Sequence, residues 1–320
     1  MMDYDKSGTN RKNDDTLTLF PTPYPGESLY SILCRYHVRS GNANDWHTVL
    51  QLFGCAGTLE NTLLSPWHLG SVFMRIPETS GITVQELLYG STAFPLYAIS
   101  AKAPELSLIR NAVAGKGAKT EHLRLVQSKV IHPSGFLRYC PECFSEQEKV
   151  YGEPYWQVAP QLDGVEYCPM HRIRIRNSNI SIKSIRHHFY PAALSVSPLP
   201  HPSGYHDLFS KAKELFVKIA CNINQILISG SSYEGLERLQ LAYASAVGGL
   251  DHYHWFSFNE MIWNSFSRYP AKDALYDYLL SKTFEICFET TQSFSKVAPC
   301  IHVLLMTVFS GGPQAFYSKE

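Results

Sequence analysis

The stretch Arg138-Tyr139-Cys140-Pro141-Glu142-Cys143, answered by Tyr167-Cys168-Pro169-Met170-His171, decides how this chain is read. Two thiols sit three positions apart, and beyond residues 144–167 a thiol and an imidazole repeat that spacing. Three thiolates and one imidazole complete a tetrahedral shell for zinc, and a two-residue gap lets one tight turn aim both ligands at a common point. Proline after each leading cysteine has its φ already fixed and helps to hold the turn. The doubled spacing predicts one structural zinc per chain, held by Cys140, Cys143, Cys168 and His171. A disulfide or free thiols would leave the histidine unused, and a disulfide suits a secreted protein, which this sequence does not resemble. Four protein ligands leave no open position for water or substrate. The metal therefore reads as a staple between residues near 140 and near 170, whereas a catalytic zinc would keep one exchangeable site.

The rest of the composition sets outer bounds. The 320 residues are 45% hydrophobic, 18% charged and 13% aromatic, enough for two or three domains with real cores. Formal net charge is zero, so no global field draws the chain to nucleic acid or membrane, and polyanion binding must come from local patches. The other five cysteines, Cys34, Cys55, Cys221, Cys287 and Cys300, fall mostly in apolar helical patterns and read as buried and inert, which fits a reducing cytoplasm. Residues 1–18 read as a disordered tail without the apolar core of a signal peptide. The longest apolar run, Ile301 to Phe309, is too short to span a membrane.

From Leu19 the chain reads as extended through Pro21, Pro23 and Pro25, then as short helices. Glu27 to Arg39 has Leu29, Ile32, Leu33 and Tyr36 on one face, with Gly41 as its stop. Asn44 or Asp45 caps a second helix with Trp46, Val49, Leu50 and Phe53 as its stripe. Ser65-Pro66 opens a third, and Thr83-Val84-Gln85-Glu86 is a capping box. This run is compatible with a helix-turn-helix module, although spacing alone favours a plain helical domain.

Around the metal ligands helix signals weaken, which predicts a zinc ribbon of short strands and turns. Tyr151, Tyr155 and Trp156 lie between the knuckles; packing over the site is the favoured role for Trp156, with a stacking surface for a base or partner as the alternative. From Tyr167 to His206 there is no acidic residue, while Arg172, Arg174, Arg176, Lys183 and Arg186 accumulate. On a strand the three alternating arginines share one face and can follow a phosphate backbone, which makes these five cations the candidate DNA contacts. The bland alternative is a solvated edge strand guarded by charge.

The remainder reads as helical: residues 207–228 as one helix, Tyr233 to Val247 as another ending at Gly248-Gly249, and a capping box at Ser257-Phe258-Asn259-Glu260 opening a third. Pro270 breaks that helix, and a short one follows with Leu275, Tyr278 and Leu279. These pieces could form a second helix-turn-helix. The expected fold is thus mainly α with a small zinc-ribbon element. The expected units are residues 19–130 as an N-terminal helical (helix-turn-helix-like) domain, 131–206 as a zinc-finger domain with a basic segment, and 207–320 as a C-terminal helical domain.

Pro23-Tyr24-Pro25-Gly26-Glu27-Ser28-Leu29-Tyr30-Ser31-Ile32, followed by Arg35-Tyr36-His37, resembles the opening of the TniQ/TnsD family of transposon target-site selectors. So does Phe94-Pro95-Leu96-Tyr97. The most specific match is Arg138 to Cys143, then Tyr151-Gly152-Glu153 with Tyr155-Trp156, then Tyr167 to His171. His302-Val303-Leu304-Leu305 resembles a helix near the end of the family's common region. The resemblance implies a selector or adaptor with no enzymatic activity. It would recognise target DNA, directly or through a guide-RNA complex, and recruit a TnsC-type AAA+ ATPase in the bacterial cytoplasm, at the nucleoid; a homodimer is compatible with it. The residues agree: there is no G-x-x-x-x-G-K-[ST] loop, since Gly115-Lys116-Gly117 lacks the upstream glycine and the hydroxyl. The competing functions are a scaffold for the ATPase without strong DNA binding of its own, and a zinc-dependent enzyme.

Overall fold

The computed structural model describes residues 16–115, 121–194, 198–199, 206–247, 260, 262–282 and 295–318. Leu17 is already docked, 7% exposed and donating its N–H to Arg75 O at 2.8 Å, so the packed chain begins before the expected boundary at 18.

The first helices follow their local signals. Ser28 caps α1 (Leu29–Ser40), its side chain accepting from Ser31 N, and Gly41 ends the helix in the left-handed conformation. Asn44 caps α2 (Asp45–Phe53) by accepting from His47 N. The apolar stripe of α2 is rotated from the expected one. Thr48, Val49, Leu52 and Phe53 face inward, whereas Trp46 is 53% and Leu50 37% exposed. The Ser65-Pro66 start is displaced: α3 (Leu69–Phe73) begins only after His68, whose φ of +58° turns the chain. At α4 (Val84–Gly90) Thr83 and Glu86 form the reciprocal capping box the sequence predicts. Then come α5 (Phe94–Ala98), buried throughout, α6 (Ala103–Val113) and α7 (Glu121–Val130).

A small antiparallel sheet follows, in the order β1 (Phe136–Tyr139), β2 (Arg176–Ser181), β3 (Pro198–Leu199). Between β1 and β2 lies α8 (Pro141–Tyr151). The protein is therefore mainly helical with a small sheet beside the cysteine–histidine cluster.

In the last third, the expected single helix over 207–228 is two, α9 (His206–Lys211) and α10 (Lys213–Ile228), interrupted at Ala212. Next are α11 (Leu236–Val247), α12 (Lys272–Lys282), α13 (Pro299–Ser310) and α14 (Pro313–Tyr317). Leu275, Tyr278 and Leu279 of α12 are buried as expected. Of the proposed box at 257–260, Ser257, Phe258 and Asn259 lie outside the described residues, as do Cys287, Gly248 and Gly249. Helix α13 is buried on all sides, from Pro299 to Val308, because it is apolar all round and neighbours cover every face. No described helix is long and apolar enough to cross a membrane.

One buried apolar cluster runs through all three expected units. Ala98 O and Ala101 O accept from Gly235 N and Leu236 N, both at 3.0 Å, so the segment after α5 anchors the start of α11. Arg110 pairs with Glu234, and Tyr89 OH donates to the same carboxylate at 2.7 Å.

Candidate metal centre and its surroundings

Strand β1 delivers Cys140 to the start of α8, with Pro141 at the first helical position, and Cys143 follows within the first turn. The first knuckle is thus a strand-to-helix corner, not the ribbon turn expected. The second is a turn: Arg172 N donates back to Cys168 O at 2.9 Å and His171 N to Cys168 Sγ at 3.4 Å. Arg172 itself has a φ of +54°, which reverses the chain before β2.

These two corners bring four donor atoms together, all within 4.8 Å of one another. Cys143 Sγ lies 3.6 Å from Cys168 Sγ, and His171 Nδ1 is 3.6, 3.3 and 3.5 Å from Cys140, Cys143 and Cys168 Sγ. A tetrahedral ion about 2.3 Å from sulfur and about 2.0–2.1 Å from nitrogen would need sulfur–sulfur edges of about 3.8 Å and sulfur–nitrogen edges of about 3.6 Å. The observed spacings fit, and the three thiols are buried. This Cys3His group could hold a metal ion. On its far side His171 Nε2 meets Glu146 Oε1 at 3.0 Å, so the carboxylate fixes the ring with Nδ1 turned to the thiols.

The segment between the knuckles is tied to the N-terminal motif. Gln157 bridges Glu27 in antiparallel fashion, Ser28 N donates to Trp156 O at 2.9 Å, and Trp156 N to Ser31 Oγ at 3.1 Å. Arg35 donates to Glu27 Oε2 at 2.8 Å and to Glu153 Oε1 at 2.9 Å, and its guanidinium lies 3.6 Å above the Tyr24 ring. Burial pushes the Glu27 carboxyl up to about 7, against the pull of Arg35. Trp156 is fully buried, edge-on to Phe144, with its indole N–H donating to Tyr190 O at 2.8 Å. It therefore packs, as expected, and offers no stacking surface.

The basic segment differs from its sequence reading. Arg172, Arg174 and Arg176 do not share a strand face, because β2 begins only at Arg176 and Arg172 sits in the reversing turn. Arg174 turns inward and forms an ion pair with Glu166, Nη2 to Oε2 at 3.3 Å. Glu166 lies one residue before the acid-free stretch, and that position hid it. It also accepts from His132 Nε2 at 2.9 Å and faces Arg138 Nη2 at 3.4 Å. Burial alone would raise the Glu166 carboxyl; Arg138, His132 and Arg174 together hold it down to about 2. Burial and Arg138 lower the His132 pKa. Arg186 reaches Glu60 at 3.6 Å. Arg172, Arg176 and Lys183 are exposed and form no ion pair among the described residues. Cys34 and Cys300 are buried as expected, whereas Cys55 is exposed and Cys221 half-buried.

A mainly helical protein whose N-terminal motif is bonded to the segment between the two halves of a Cys3His cluster is the class defined by these features. Residues 18–175 match the family model of TniQ, so this segment of the chain is similar to the TniQ family. Over 154 residues it is 32% identical to the transposon Tn7 transposition protein TnsD of Escherichia coli. That alignment takes in 48% of this chain and 30% of TnsD, so the chain spans under a third of that relative.

Proposed function

We propose that this protein is a target-site selector of a Tn7-like transposon. It would engage target DNA, directly or through a guide-RNA complex, and recruit a TnsC-type AAA+ ATPase, acting in the cytoplasm without an enzymatic step of its own. The carrying observation is the TniQ match, which covers the N-terminal motif and all four clustered donors. Zinc suits the donor set, three soft thiolates and an imidazole at tetrahedral spacing. Held by Cys140, Cys143, Cys168 and His171, it would contribute folding energy.

The DNA-facing groups in this reading are Arg172, Arg176 and Lys183, with Arg186 at their margin; Arg174 belongs to the interior network. Neutralisation of phosphates by exposed guanidinium and ammonium groups makes binding fall with salt. The triple variant Arg172→Ala, Arg176→Ala, Lys183→Ala is expected to weaken DNA binding in a gel-shift assay. It should also flatten the salt slope by roughly 0.9 for each phosphate charge that is no longer neutralised. An unchanged slope would remove these residues from the interface. The reduction of five candidate cations to three unpaired ones favours one second reading, an ATPase scaffold with weak DNA binding. It predicts that the ATPase is captured by the chain at high salt with no DNA present.

A further inference from the structure

Beyond β2, Ile185 and Phe189 are buried, and the three residues between them, Arg186, His187 and His188, are exposed. This short strap lies against the N-terminal helices, and its main chain is tied at three carbonyls. Leu59 N donates to Arg186 O at 2.9 Å, Tyr30 OH to His188 O at 2.9 Å, and Trp156 Nε1 to Tyr190 O at 2.8 Å. Tyr190 N donates back to the Tyr30 hydroxyl oxygen at 2.9 Å. Phe189 stacks on the His37 ring of α1, with centroids 4.7 Å apart.

Tyr30 stands out among these ties. Its ring is fully buried on α1, and its hydroxyl serves two main-chain groups of the strap at once. Phenylalanine there would keep the ring and remove both ties. With the main chain fixed, the exposed side chains leave from fixed points. Arg186 meets Glu60 only at 3.6 Å and is 58% exposed, a pair that water screens and that a phosphate can replace. His188 Nδ1 is held by Asp45 Oδ2 at 2.7 Å, at the start of α2. His187 is exposed and has no partner among the described residues. Lys183, one turn earlier, is joined to the strap where Arg186 N donates to its carbonyl at 3.3 Å. Ammonium, guanidinium and imidazole donors thus stand close together on an anchored main chain.

We propose that this strap is a phosphate-contacting edge and that Tyr30 is its positioning residue. Through one buried hydroxyl, the N-terminal motif fixes where Arg186 and His187 meet a nucleic-acid backbone. The inference rests on the DNA-facing reading above and adds to it His187 as a contact and Tyr30 as the group behind it. Donors held in place lose less freedom on binding than donors on a loose segment, so a residue that touches no phosphate still sets affinity.

Gel shifts of a random-sequence duplex with the zinc-loaded full chain test this as a double-mutant cycle. Tyr30→Phe is expected to stay folded and zinc-loaded. It should bind about fivefold more weakly with an unchanged salt slope, since it removes hydrogen bonds and no charge. Arg186→Ala/His187→Ala, at exposed positions, should bind about tenfold more weakly with a slope flattened by roughly 0.9. All three changes together should cost less than the product of the separate losses, because Tyr30 acts through those side chains. A lowered thermal midpoint in Tyr30→Phe with unchanged affinity overturns the positioning role. So do fully multiplicative losses, and so does a Tyr30→Phe chain that cannot fold, whose hydroxyl then serves stability alone. Unchanged affinity in Arg186→Ala/His187→Ala overturns the edge itself, whatever Tyr30→Phe does. If the triple variant at Arg172, Arg176 and Lys183 weakens binding while the strap variants do not, the DNA reading stands and the strap falls. If the wild type binds no duplex, both fall.

Discussion

Replacing Glu166 by glutamine removes one negative charge from a buried ionic cluster. The wild-type carboxylate is 3% exposed and faces His132 Nε2, Arg138 Nη2 and Arg174 Nη2 at 2.9, 3.4 and 3.3 Å. Its pKa drops from 4.5 to about 2, which at about 1.4 kcal/mol per pH unit is worth about 3 kcal/mol of stability at neutral pH. An independent route gives a similar figure: the variant removes the larger of the two carboxylate charges acting on Arg138, 2% exposed, leaving only Asp163, and breaking a buried pair costs up to about 3–5 kcal/mol. Urea unfolding of the zinc-loaded proteins at pH 7 is the assay, with a lower midpoint and an unchanged slope expected.

The pH dependence supplies the sharper arm. A depressed carboxylate pKa stabilises the fold fully above about 4.5, and that contribution disappears as pH falls towards 2. The gap between wild type and Glu166→Gln should therefore close over this window. Zinc release in acid would unfold both chains, so the gap is compared only at pH values where circular dichroism and metal analysis show both still folded and zinc-loaded. A gap below about 1 kcal/mol at pH 7, or one that fails to narrow between pH 4.5 and the lowest pH at which both chains stay folded, refutes the electrostatic account of this cluster.

Other outcomes follow from the same geometry. Cys140→Ser should lose zinc and unfold in buffer that keeps the wild type folded, read by circular dichroism and metal analysis, because structural zinc binding is folding energy. Glu146→Ala should stay folded but bind zinc roughly 10–100-fold more weakly in chelator competition, since the His171 ring loses the carboxylate that orients it. Thr83→Ala should cost about 1 kcal/mol in thermal unfolding through the lost cap, with no effect on zinc.

Much of the first third was legible because its signals are local. Ser28, Asn44 and the Thr83–Glu86 box each satisfy backbone groups within three residues, and no distant partner is needed to place them. The metal ligands were legible for a similar reason, two short spacings. Helix α8 was missed because tyrosine, proline and glycine around the cysteines suggested turns. Its own signal was present all the same, Pro141 at the first position and Gly152 just past the end. The arginine row failed for a tertiary reason. Which way Arg174 points depends on Glu166 and on the Phe209 ring 4.7 Å beneath its guanidinium, and neither partner is announced by the alternation of residues 172–176. Trp46 and Leu50 likewise match a helical period, yet α2 has only one face against the body. The joining of the two family motifs, Glu27 to Arg35 with Glu153 to Gln157, could not be read from spacing. It is a long-range set of hydrogen bonds between segments more than a hundred residues apart.

The zinc-edge X-ray absorption spectrum of the purified chain tests the account most directly. Three sulfurs at about 2.3 Å and one nitrogen at about 2.0–2.1 Å, with no oxygen in the shell, is the expected result. A bound water, or a folded chain carrying no metal, would contradict a closed clamp made of Cys140, Cys143, Cys168 and His171.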